Sequence, residues 1–499
     1  MTFANAAKRN TSQHRIVVEL HVAIANTQWV NNGAGIWTVN PLNVYSWVDT
    51  SLLDGFTAQG FRPLGSIKAD ARNLQLATSL PDLADTPNAW YPDYQTPMYY
   101  VTLPNFDEPS LHTITIGQLY SFSHAEFDAI SGLVPIEGRL MNTPSVSESR
   151  DPLFWGRLAY PSTSVQLANS DGEFDLWGRD VDIYGNDCRV LVGFEDVAYS
   201  DWLRVFHGFM DSATVSEGAF SVTMSDRRKQ LSAPIKYACT DTNALTAIEE
   251  ILADAYGYTF DSTYFDLVAW AAAKAVVANI TIDMQKKEPV NQVIEDICGS
   301  VFGTFRVDAD NLFSFKVVDT DDSIETLIEA SDILEPHDIS YDPSEVVSSV
   351  RVGYAKDWTA SAGSAYTYYT DISREATVFA QYKTYNEKTF DTLLVDLAAA
   401  TAFATRVLDY TDEVYGKETL TVPLENYSVA LGDQVGAIIQ RGAQTMIGEL
   451  KAEVTSVEYA LDVPLMRIGI RHGGATDAIR TTEAGAIRAT EAESIRVEE

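Results

Sequence analysis

Apolar and polar residues alternate in short runs along the first 140 residues, which is the period of half-buried β-strands. Four such runs are RIVVELHVAI, GIWTVN, MYYVTL and HTITIGQLYSF, at residues 15–24, 35–40, 98–103 and 112–122. Residues 79–97, SLPDLADTPNAWYPDYQTP, are rich in Pro and Asp and sustain neither the strand nor the helix period. We therefore expect an N-terminal β region, residues 1–140, with one long surface loop.

A second β segment follows, with candidate strand pairs in residues 164–177, 180–194 and 203–224. Turn residues separate these runs, and Ser170-Asp171-Gly172 is a tight-turn signal of the kind that joins two strands of a hairpin. The pattern predicts a β-barrel-like domain over residues 141–235.

The period then changes to that of an amphipathic helix in ALTAIEEILADAYG, residues 244–257. Asp241 and Thr242 are plausible N-caps, and Gly257 offers a C-cap. One helical face carries four apolar residues: Leu245, Ile248, Leu252 and Ala255.

A second helix is predicted to open near Pro289 and to end at Gly303. Its apolar face consists of Val293, Ile294, Ile297 and Val301. The next run, TFRVDADNLFSFKVVD, predicts a hairpin that turns at Asp310-Asn311. Helix, strand, helix and hairpin together make a small α+β domain, residues 236–330.

Residues 331–475 are predicted to form a C-terminal β domain with one long helix. The helix is expected from Asp391 to about Tyr410, either as an amphipathic assembly helix or, the favoured alternative, packed across its own domain's sheet. Strands are expected in SSVRVGYAKDW and in four later runs, ETLTVPL, QVGAIIQ, AEVTSVEYAL and LMRIGIRH.

Residues 476–499 form a repetitive tail in which an Ile-Arg pair recurs every eight residues. The pairs are Ile479-Arg480, Ile487-Arg488 and Ile495-Arg496, each followed by a Glu, at positions 483, 491 and 498. This period fits short β-arcs, or an extended tail that pairs with another chain's sheet edge, and a solvated tail is an equal alternative. The overall expectation is a multidomain α+β protein that is predominantly β.

Composition narrows the functional classes. The chain has 35 Lys and Arg residues and 70 Asp and Glu residues, which give it a formal net charge of −35. Because such a surface repels phosphate backbones, specific nucleic-acid binding is disfavoured. An acidic lumen can nevertheless let DNA slide through without sticking.

No signal peptide is evident, and no uncharged apolar run approaches the ~20 residues of a membrane helix; in DLVAWAAAKAVVANI the run is broken by Lys274. Three scattered cysteines, Cys188, Cys239 and Cys298, fit a reducing cytoplasm and structural burial.

Several segments together resemble the tail-hub proteins of long-tailed phages and related gene-transfer particles. The most specific is 164–175, SVQLANSDGEFD, which is similar to the family's strand, turn and N-x-D-G-x-F-D passage. Residues 205–211, VFHGFMD, are similar to its F-x-G-x-I/M-D strand, and 350–354, VRVGY, to a later strand. Residues 431–435, LGDQV, look like the L-G-D-x-V turn of closing β domains in tail proteins.

The resemblance covers about residues 140–499 and implies a structural virion protein of the tail tip or baseplate, assembled in the host cytoplasm. Three copies would form a hub with pseudo-sixfold β domains that joins the tail tube to the tip. The implied partners are the distal tail protein and tail tube, the tip or central-fibre protein and the tape-measure protein. Viral DNA would pass through without sequence-specific binding.

Positive motif evidence for an enzyme is absent, and we expect no enzyme, no cofactor and no metal. None of the HExxH, CxxC, GxSxG, P-loop and dinucleotide-binding fingerprints occurs. The histidines never pair at metal-helix spacing; they are His14, His21, His112, His124, His207, His337 and His472.

Two acidic groups could be imagined as cation sites, but a turn is the favoured interpretation of each. The first group, Asn169, Asp171 and Asp175, lacks the spacing of a calcium loop and is better explained as a hairpin turn. The second is Asp319, Asp321 and Asp322. Seventy carboxylates make accidental pairs certain, so no glycosidase-type pair is nominated.

Aromatic residues of the N-terminal region could form a sugar- or protein-binding platform, although packing explains most of them. They are Trp29, Trp37, Trp47, Trp90, Tyr91 and Tyr94. Two functional alternatives therefore stay open: a tail-associated cell-wall or polysaccharide hydrolase, which needs a deep cleft with two poised carboxylates, and a receptor-binding tail protein, which needs an exposed aromatic groove. An outer-membrane barrel is a weak further alternative.

Overall fold

A computed structural model gives the conformation of much of the chain. It describes residues 14–23, 38–39, 45–48, 64–69, 72–73, 75–76, 89–93, 98–102, 114–124, 127–128, 135–149, 161–177, 183–194, 197–308, 310–317, 324, 326–334, 339–359, 366–424, 429–438, 449–462, 465–472, 480–481 and 487–488. The fold is predominantly β with a smaller helical part, which confirms the predicted fold class.

The strands before residue 230 are β1 (His14–Ala23), β2 (Thr38–Val39), β3 (Tyr45–Val48), β4 (Leu64–Ala69), β5 (Arg72–Asn73), β6 (Gln75–Leu76), β7 (Ala89–Asp93), β8 (Met98–Thr102), β9 (Ile114–Phe122), β10 (Phe127–Asp128), β11 (Pro135–Glu137), β12 (Val146–Ser149), β13 (Ser162–Ala168), β14 (Asp187–Phe194), β15 (Leu203–Val215) and β16 (Ala219–Ser225).

The later strands are β17 (Pro234–Ile235), β18 (Ala238–Asn243), β19 (Asn279–Asp283), β20 (Glu288–Pro289), β21 (Gly303–Val307), β22 (Phe313–Val317), β23 (Thr326–Ile328), β24 (Ser340–Tyr341), β25 (Ser349–Lys356), β26 (Tyr366–Ser373), β27 (Glu387–Asp391), β28 (Gly416–Pro423), β29 (Gln434–Ile438), β30 (Glu449–Ala460), β31 (Leu465–His472), β32 (Arg480–Thr481) and β33 (Ile487–Arg488).

The helices of the described residues are α1 (Ala244–Tyr256), α2 (Leu267–Lys274), α3 (Val290–Val301), α4 (Glu375–Tyr382) and α5 (Leu397–Thr411). None of them is long and apolar enough to cross a membrane.

The chain divides into two compact units. The first comprises Met1–Val146, Ser162–Asp226 and Leu461–Pro464, and the second Ser147–Pro161, Arg227–Ala460 and Leu465–Glu499. The five-part division expected from the sequence stays a prediction.

The first unit contains a ten-stranded sheet in the order β10-β11-β9-β1-β14-β15-β16-β13, with β4 and β5 attached to β9. After β11 the chain also meets the far strand, because Met141 N–H donates to the Gln166 carbonyl at 2.8 Å and Leu140 N–H to the Ser123 carbonyl at 2.8 Å. The sheet therefore curls so that β13 returns beside residues 139–141. Alternate residues of β13 are buried, as the predicted strand period requires.

The prediction of one long loop over residues 79–97 is wrong for residues 89–93. Residues 89–93 form strand β7, which pairs antiparallel with β8 inside a five-stranded sheet of order β2-β3-β8-β7-β6. Pro92 pairs with Tyr99 in this register, so cross-strand pairing overrides the local Pro and Asp signals. The rest of 79–97 lies outside the described residues.

The second unit contains a seven-stranded sheet of order β23-β29-β30-β31-β28-β24, with β12 against β30, and a three-stranded sheet of order β26-β25-β27. Helix α5 packs on β25 and β26 with buried Phe403, Val407 and Leu408 against Val350 and Val352. The prediction that this helix packs across its own sheet is thus confirmed.

The start of that helix is corrected. Residues 387–391 form β27, paired in parallel with β25, so Asp391 ends a strand and does not open the helix. The cap is Asp396, whose Oδ1 accepts from Ala399 N–H at 2.8 Å. An Asp is a good cap at either position, and only the sheet pairing distinguishes the two.

The predicted helix at 244–257 is confirmed as α1, with Gly257 as its left-handed C-cap at φ 67°. Its N-cap is Asn243, whose side chain accepts from Leu245 N–H at 3.1 Å, and not Asp241 or Thr242. Those two residues belong to β18, which pairs with β19 as far as Asn243. Between α1 and β19 lies helix α2, which was not predicted.

The helix near Pro289 is confirmed as α3, but it does not end on Gly303. Phe302 takes the left-handed C-cap position at φ 57°, and its ring packs edge-on against Phe403 and Tyr410 at centroid distances of 6.0 and 5.7 Å. Gly303 lies in β21, where a Cβ would stand 2.2 Å from the Phe315 ring. Burial of the Phe302 ring therefore offsets its unfavourable backbone conformation.

The hairpin predicted at Asp310-Asn311 is confirmed. Strands β21 and β22 pair antiparallel, and Asn311 occupies the left-handed region at φ 66°. In the tail, β32 pairs antiparallel with β33 through Arg480 with Arg488 and Thr481 with Ile487.

Candidate functional site

The segment that carries the most specific resemblance, residues 164–175, forms a corner at the end of β13. The strand ends at Ala168, and Gly172 N–H then donates to the Asn169 carbonyl at 3.2 Å in a tight turn. Gly172 has φ 72°, a conformation that glycine adopts without strain. A 3₁₀ turn, Glu173–Leu176, follows.

The tight turn at Ser170-Asp171-Gly172 is therefore confirmed, but the hairpin interpretation is wrong. No strand returns along β13 from this turn, because the neighbour of β13 in the described sheet is β16. Turn residues specify a reversal of the chain, but they do not specify whether a strand or a helix comes next.

Asn169 holds the corner together. Its side chain is 1% exposed, its Oδ1 accepts from Phe174 N–H at 2.9 Å, and its Nδ2 donates to Asp175 Oδ1 at 2.8 Å and to the Ser216 carbonyl at 3.2 Å. Asn supplies both an acceptor and donors, a combination that an Asp at this position would lack.

Phe174 anchors the corner in the core. Its ring stacks on Phe220 at 4.9 Å and meets Trp177 and Phe122 edge-on at 4.8 and 5.7 Å. Arg139 lies over the same ring at 5.4 Å. Aromatic burial of this kind stabilises by several kcal/mol.

Arg139 closes the outer side of the corner. Its guanidinium donates to both Asp171 oxygens, Nη1 to Oδ1 at 3.0 Å and Nη2 to Oδ2 at 2.7 Å, and its Nε donates to Glu137 Oε2 at 2.7 Å. Arg139 was not singled out in the sequence, because 32 residues separate it from Asp171.

The three side chains that were considered as calcium ligands, Asn169, Asp171 and Asp175, all make contacts within the protein. Each of the three side chains is already engaged with a protein donor or acceptor, and no cluster of three or more potential metal ligands occurs among the described residues. The corner is thus a rigid structural element. Asp319, Asp321 and Asp322 lie outside the described residues.

The second segment, residues 205–211, lies on β15, where the glycine has a packing role. A Cβ on Gly208 would stand 2.3 Å from the Ser225 carbonyl oxygen of β16. The register of β15 and β16 shifts between Met210 and Ser212. The glycine therefore allows β15 to lie close to its antiparallel neighbour β16 beside a β-bulge.

The 431–435 segment forms a closed turn. Gly432 has φ 82°, and Asp433 Oδ2 accepts from Ala430 N–H at 2.8 Å. Arg306 of β21 donates to the Leu431 carbonyl at 3.0 Å. In the remaining segment, 350–354, a Cβ added to Gly353 would lie 2.9 Å from the ring of Tyr366.

Two buried carboxylates bear on the hydrolase alternative. Glu418 and Glu453 lie on strands β28 and β30, on either side of β31. Glu418 Oε1 is 3.0 Å from His472 Nε2, and Tyr410 donates its hydroxyl hydrogen to Glu453. Arg471 stacks over the Tyr410 and Tyr415 rings. These carboxylates lie in a packed core, so they are not the open, poised pair that a hydrolase needs.

One small cavity in the first unit, of about 160 Å³, is lined by Arg15, Ile16, Ser123, His124, Thr143, Leu461 and Asp462. His124 Nδ1 is 2.9 Å from the Leu140 carbonyl and Nε2 is 3.5 Å from Thr143 Oγ1. Ligand sites usually enclose about 300 Å³ or more. The cavity does not supply the deep cleft that a polysaccharide requires.

Three of the six residues of the predicted aromatic platform lie among the described residues. Trp47 lies in β3, and Trp90 and Tyr91 lie in β7, on either side of β8. Trp29, Trp37 and Tyr94 lie outside the described residues. The platform stays a prediction.

Comparisons with known proteins were made by sequence and by structure. No family model matches the chain, and no curated protein matches it. Among solved structures, the chain is similar to a tail protein from Neisseria meningitidis MC58, with 15% identity and a TM-score of 0.43 over 66% of this chain and 92% of that one.

It is also similar to a 43 kDa tail protein of prophage MuSo2 from Shewanella oneidensis, with 12% identity and a TM-score of 0.41 over 66% of this chain and 93% of that one. A prophage tail protein from Listeria monocytogenes EGD-e has 10% identity and a TM-score of 0.39 over 66% and 88%. At this level of similarity neither a common fold nor a common role follows.

Proposed function

We propose that this protein is a structural component of a long-tailed phage virion, a homotrimeric hub at the tail tip that joins the tail tube to the tip or central fibre. It is not an enzyme. The proposal rests mainly on residues 164–175, the segment that most resembles the tail-hub proteins, because its polar side chains make structural contacts. Asn169, Asp171 and Asp175 are engaged in bonds within the corner, so this passage serves rigidity and not chemistry.

The other hub-like segments support the same proposal. Gly208 allows β15 to lie close to its antiparallel neighbour β16, and Gly432 forms a turn in which the Leu431 carbonyl accepts a hydrogen bond from Arg306 of β21. A protein that transmits force between neighbours needs stiff β modules with satisfied turns more than it needs a pocket.

The net charge of −35 supports a role beside DNA that does not involve tight binding. An acidic inner wall repels a polyanion and would let it pass, or would hold the end of the tape-measure protein until opening. The proposed partners are the distal tail protein and tail tube, the tip or central-fibre protein and the tape-measure protein, in a virion assembled in the host cytoplasm.

The test is the mass of the purified full chain by light scattering at several concentrations, with electron microscopy of the same sample. The hub proposal expects closed threefold rings of about three times the 55.0 kDa chain mass. A compact monomer at every concentration contradicts it. Release of soluble sugar or peptide from purified cell wall would replace it with the hydrolase alternative, and retention on cell-surface glycan with the receptor-binding one.

A further inference from the structure

Strand β13 is the last strand in the described sheet of the first unit. Its strand neighbour there is β16, which pairs with it along one edge. A strand in this position presents a row of backbone N–H and C=O groups along its other edge. Because such a row can pair with a strand of another chain, the residues that cover it decide whether the unit associates through this edge.

The sequence of β13 has none of the features that usually prevent edge pairing. STSVQLA is seven residues long and contains neither a charged residue nor a proline. Its pairing with β16 runs from Ser162 to Ala168 without a shift in register, so the strand carries no bulge on that side. Edge strands are normally protected by charge, proline, bulges or very short length, or by a covering segment. The protection of β13 therefore depends on what covers it.

Backbone of the segment after β11 covers one end of this edge. Ala168 N–H donates to the Arg139 carbonyl at 2.7 Å, and Met141 N–H donates to the Gln166 carbonyl at 2.8 Å. The two segments run antiparallel. These hydrogen bonds occupy the edge from Gln166 to Ala168.

The side chain of Asn142 covers the next part of the edge. Its Oδ1 accepts from Gln166 N–H at 2.6 Å, and its Nδ2 donates to the Ser164 carbonyl at 3.2 Å. An Asn side chain offers the same acceptor and donor as a peptide group. The amide therefore stands where a peptide group of a neighbouring strand would stand, and it extends the covered edge from Gln166 back to Ser164.

The residues that lead to Asn142 are fixed to the first unit. Leu140 N–H donates to the Ser123 carbonyl at 2.8 Å, and the Leu140 carbonyl lies 2.9 Å from His124 Nδ1. The main chain before Asn142 is thus bonded to the end of β9 on one side and to β13 on the other. This double attachment holds the Asn142 amide in register with β13.

We propose that the Asn142 side chain blocks the outer edge of β13 against a strand of a second copy of this chain. A second copy is the occupant because every copy presents the same edge, and two such edges can pair antiparallel about a twofold axis. The strand is uncharged, so this pairing places no like charges opposite each other. The inference does not depend on the hub proposal, since each variant is compared with the wild type whatever its number of copies.

The experiment measures the mass of the purified full chain by light scattering over one range of concentrations. The test variant is Asn142→Ala. The matched control is Gln285→Ala, which removes a side-chain amide that donates to the Asp283 carbonyl at 3.2 Å between β19 and β20. A third variant combines Asn142→Ala with Ser164→Lys, at an exposed side chain of β13. Circular dichroism checks that all three fold.

The proposal expects the mass of Asn142→Ala to rise with concentration to about twofold or more above the wild type, because the opened edges pair. Gln285→Ala keeps the wild-type mass. Ser164→Lys reverses the rise, because a lysine on an edge strand opposes a second strand. An unchanged mass in Asn142→Ala overturns the proposal, and so does a rise that Ser164→Lys leaves in place.

Hydrogen exchange in dilute solution tests the block without association. The Gln166 amide of Asn142→Ala is expected to exchange about tenfold faster or more than in the wild type, because it loses its acceptor. Asn142→Asp keeps an acceptor for this amide but loses the donor to the Ser164 carbonyl, so its Gln166 amide stays protected. Equal exchange of the Gln166 amide in the Ala and Asp variants would overturn the assignment of Asn142 as the group that covers the edge.

Discussion

Gly172 and Gly208 are required for two different physical reasons. Gly172 occupies the left-handed region at φ 72°, where a side chain is strained whatever space surrounds it. Gly208 stands against the neighbouring strand, and a methyl group there would collide with the Ser225 carbonyl. The sequence indicates the turn at Gly172, because the Asp-Gly pair is a known signal, but it does not reveal the close approach of β16 to Gly208.

Gly208→Ala is expected to destabilise the protein by about 1–3 kcal/mol, because the 2.3 Å contact is with backbone and the strands must separate. Gly218→Ala, on the same hairpin, is the matched control, since nothing lies within 4 Å of its added Cβ. Urea unfolding followed by fluorescence measures both. Equal urea midpoints for the two variants would contradict the close approach of β16 to Gly208.

Burial raises the pKa of Tyr459 to about 12, and the carboxylate of Glu148 adds to the shift. The unfolded chain loses this proton near pH 10, so the stability that this group contributes is complete below that pH and falls as pH rises through the folded-state pKa. Tyr459→Phe should therefore flatten the decline in unfolding free energy between about pH 10 and 12. Tyr385→Phe, at an exposed side chain, should leave the decline unchanged; an identical slope in both variants would refute the assignment.

At the scale of the elements, the sequence predicted the existence of strands and helices better than their ends. The apolar face of α1 and Gly257 locate that helix because both signals are local. Helix α2 was missed because its apolar residues surround the helix and leave no periodic contrast. The start of α5 was misplaced because Asp391 resembles a cap, and only pairing with β25, some forty residues earlier, assigns it to a strand.

Asp396→Ala is expected to lower the unfolding free energy by about 1 kcal/mol, because Ala399 N–H loses its acceptor at the first turn of α5. Asp391→Ala should have little effect on the helix, since that residue ends β27. Hydrogen exchange at the first amides of α5 reports the cap directly. Faster exchange in Asp391→Ala than in Asp396→Ala would support the start predicted from the sequence instead.

At the scale of the molecule, the long-range pairings that build the sheets were beyond the sequence. Strand β1 pairs with β14, more than 160 residues later, and no local pattern specifies that neighbour. The same limit applies to the corner of the first unit, where Arg139 meets Asp171 across 32 residues. Segment resemblance located the turn residues of this corner, whereas their partner required the three-dimensional fold.

The net charge of −35 also acts on the whole molecule, and its effect can be measured. Like charges on the folded surface repel one another more strongly than in the expanded chain, so screening them should stabilise the folded state. We expect the free energy of unfolding to rise by about 1 kcal/mol or more between low salt and about 0.3 M NaCl, measured by urea unfolding. Potassium chloride at equal ionic strength serves as the control for a specific ion. A fall in stability with added salt would mean that attractive ion pairs such as Arg139–Asp171 outweigh the self-repulsion of the acidic surface.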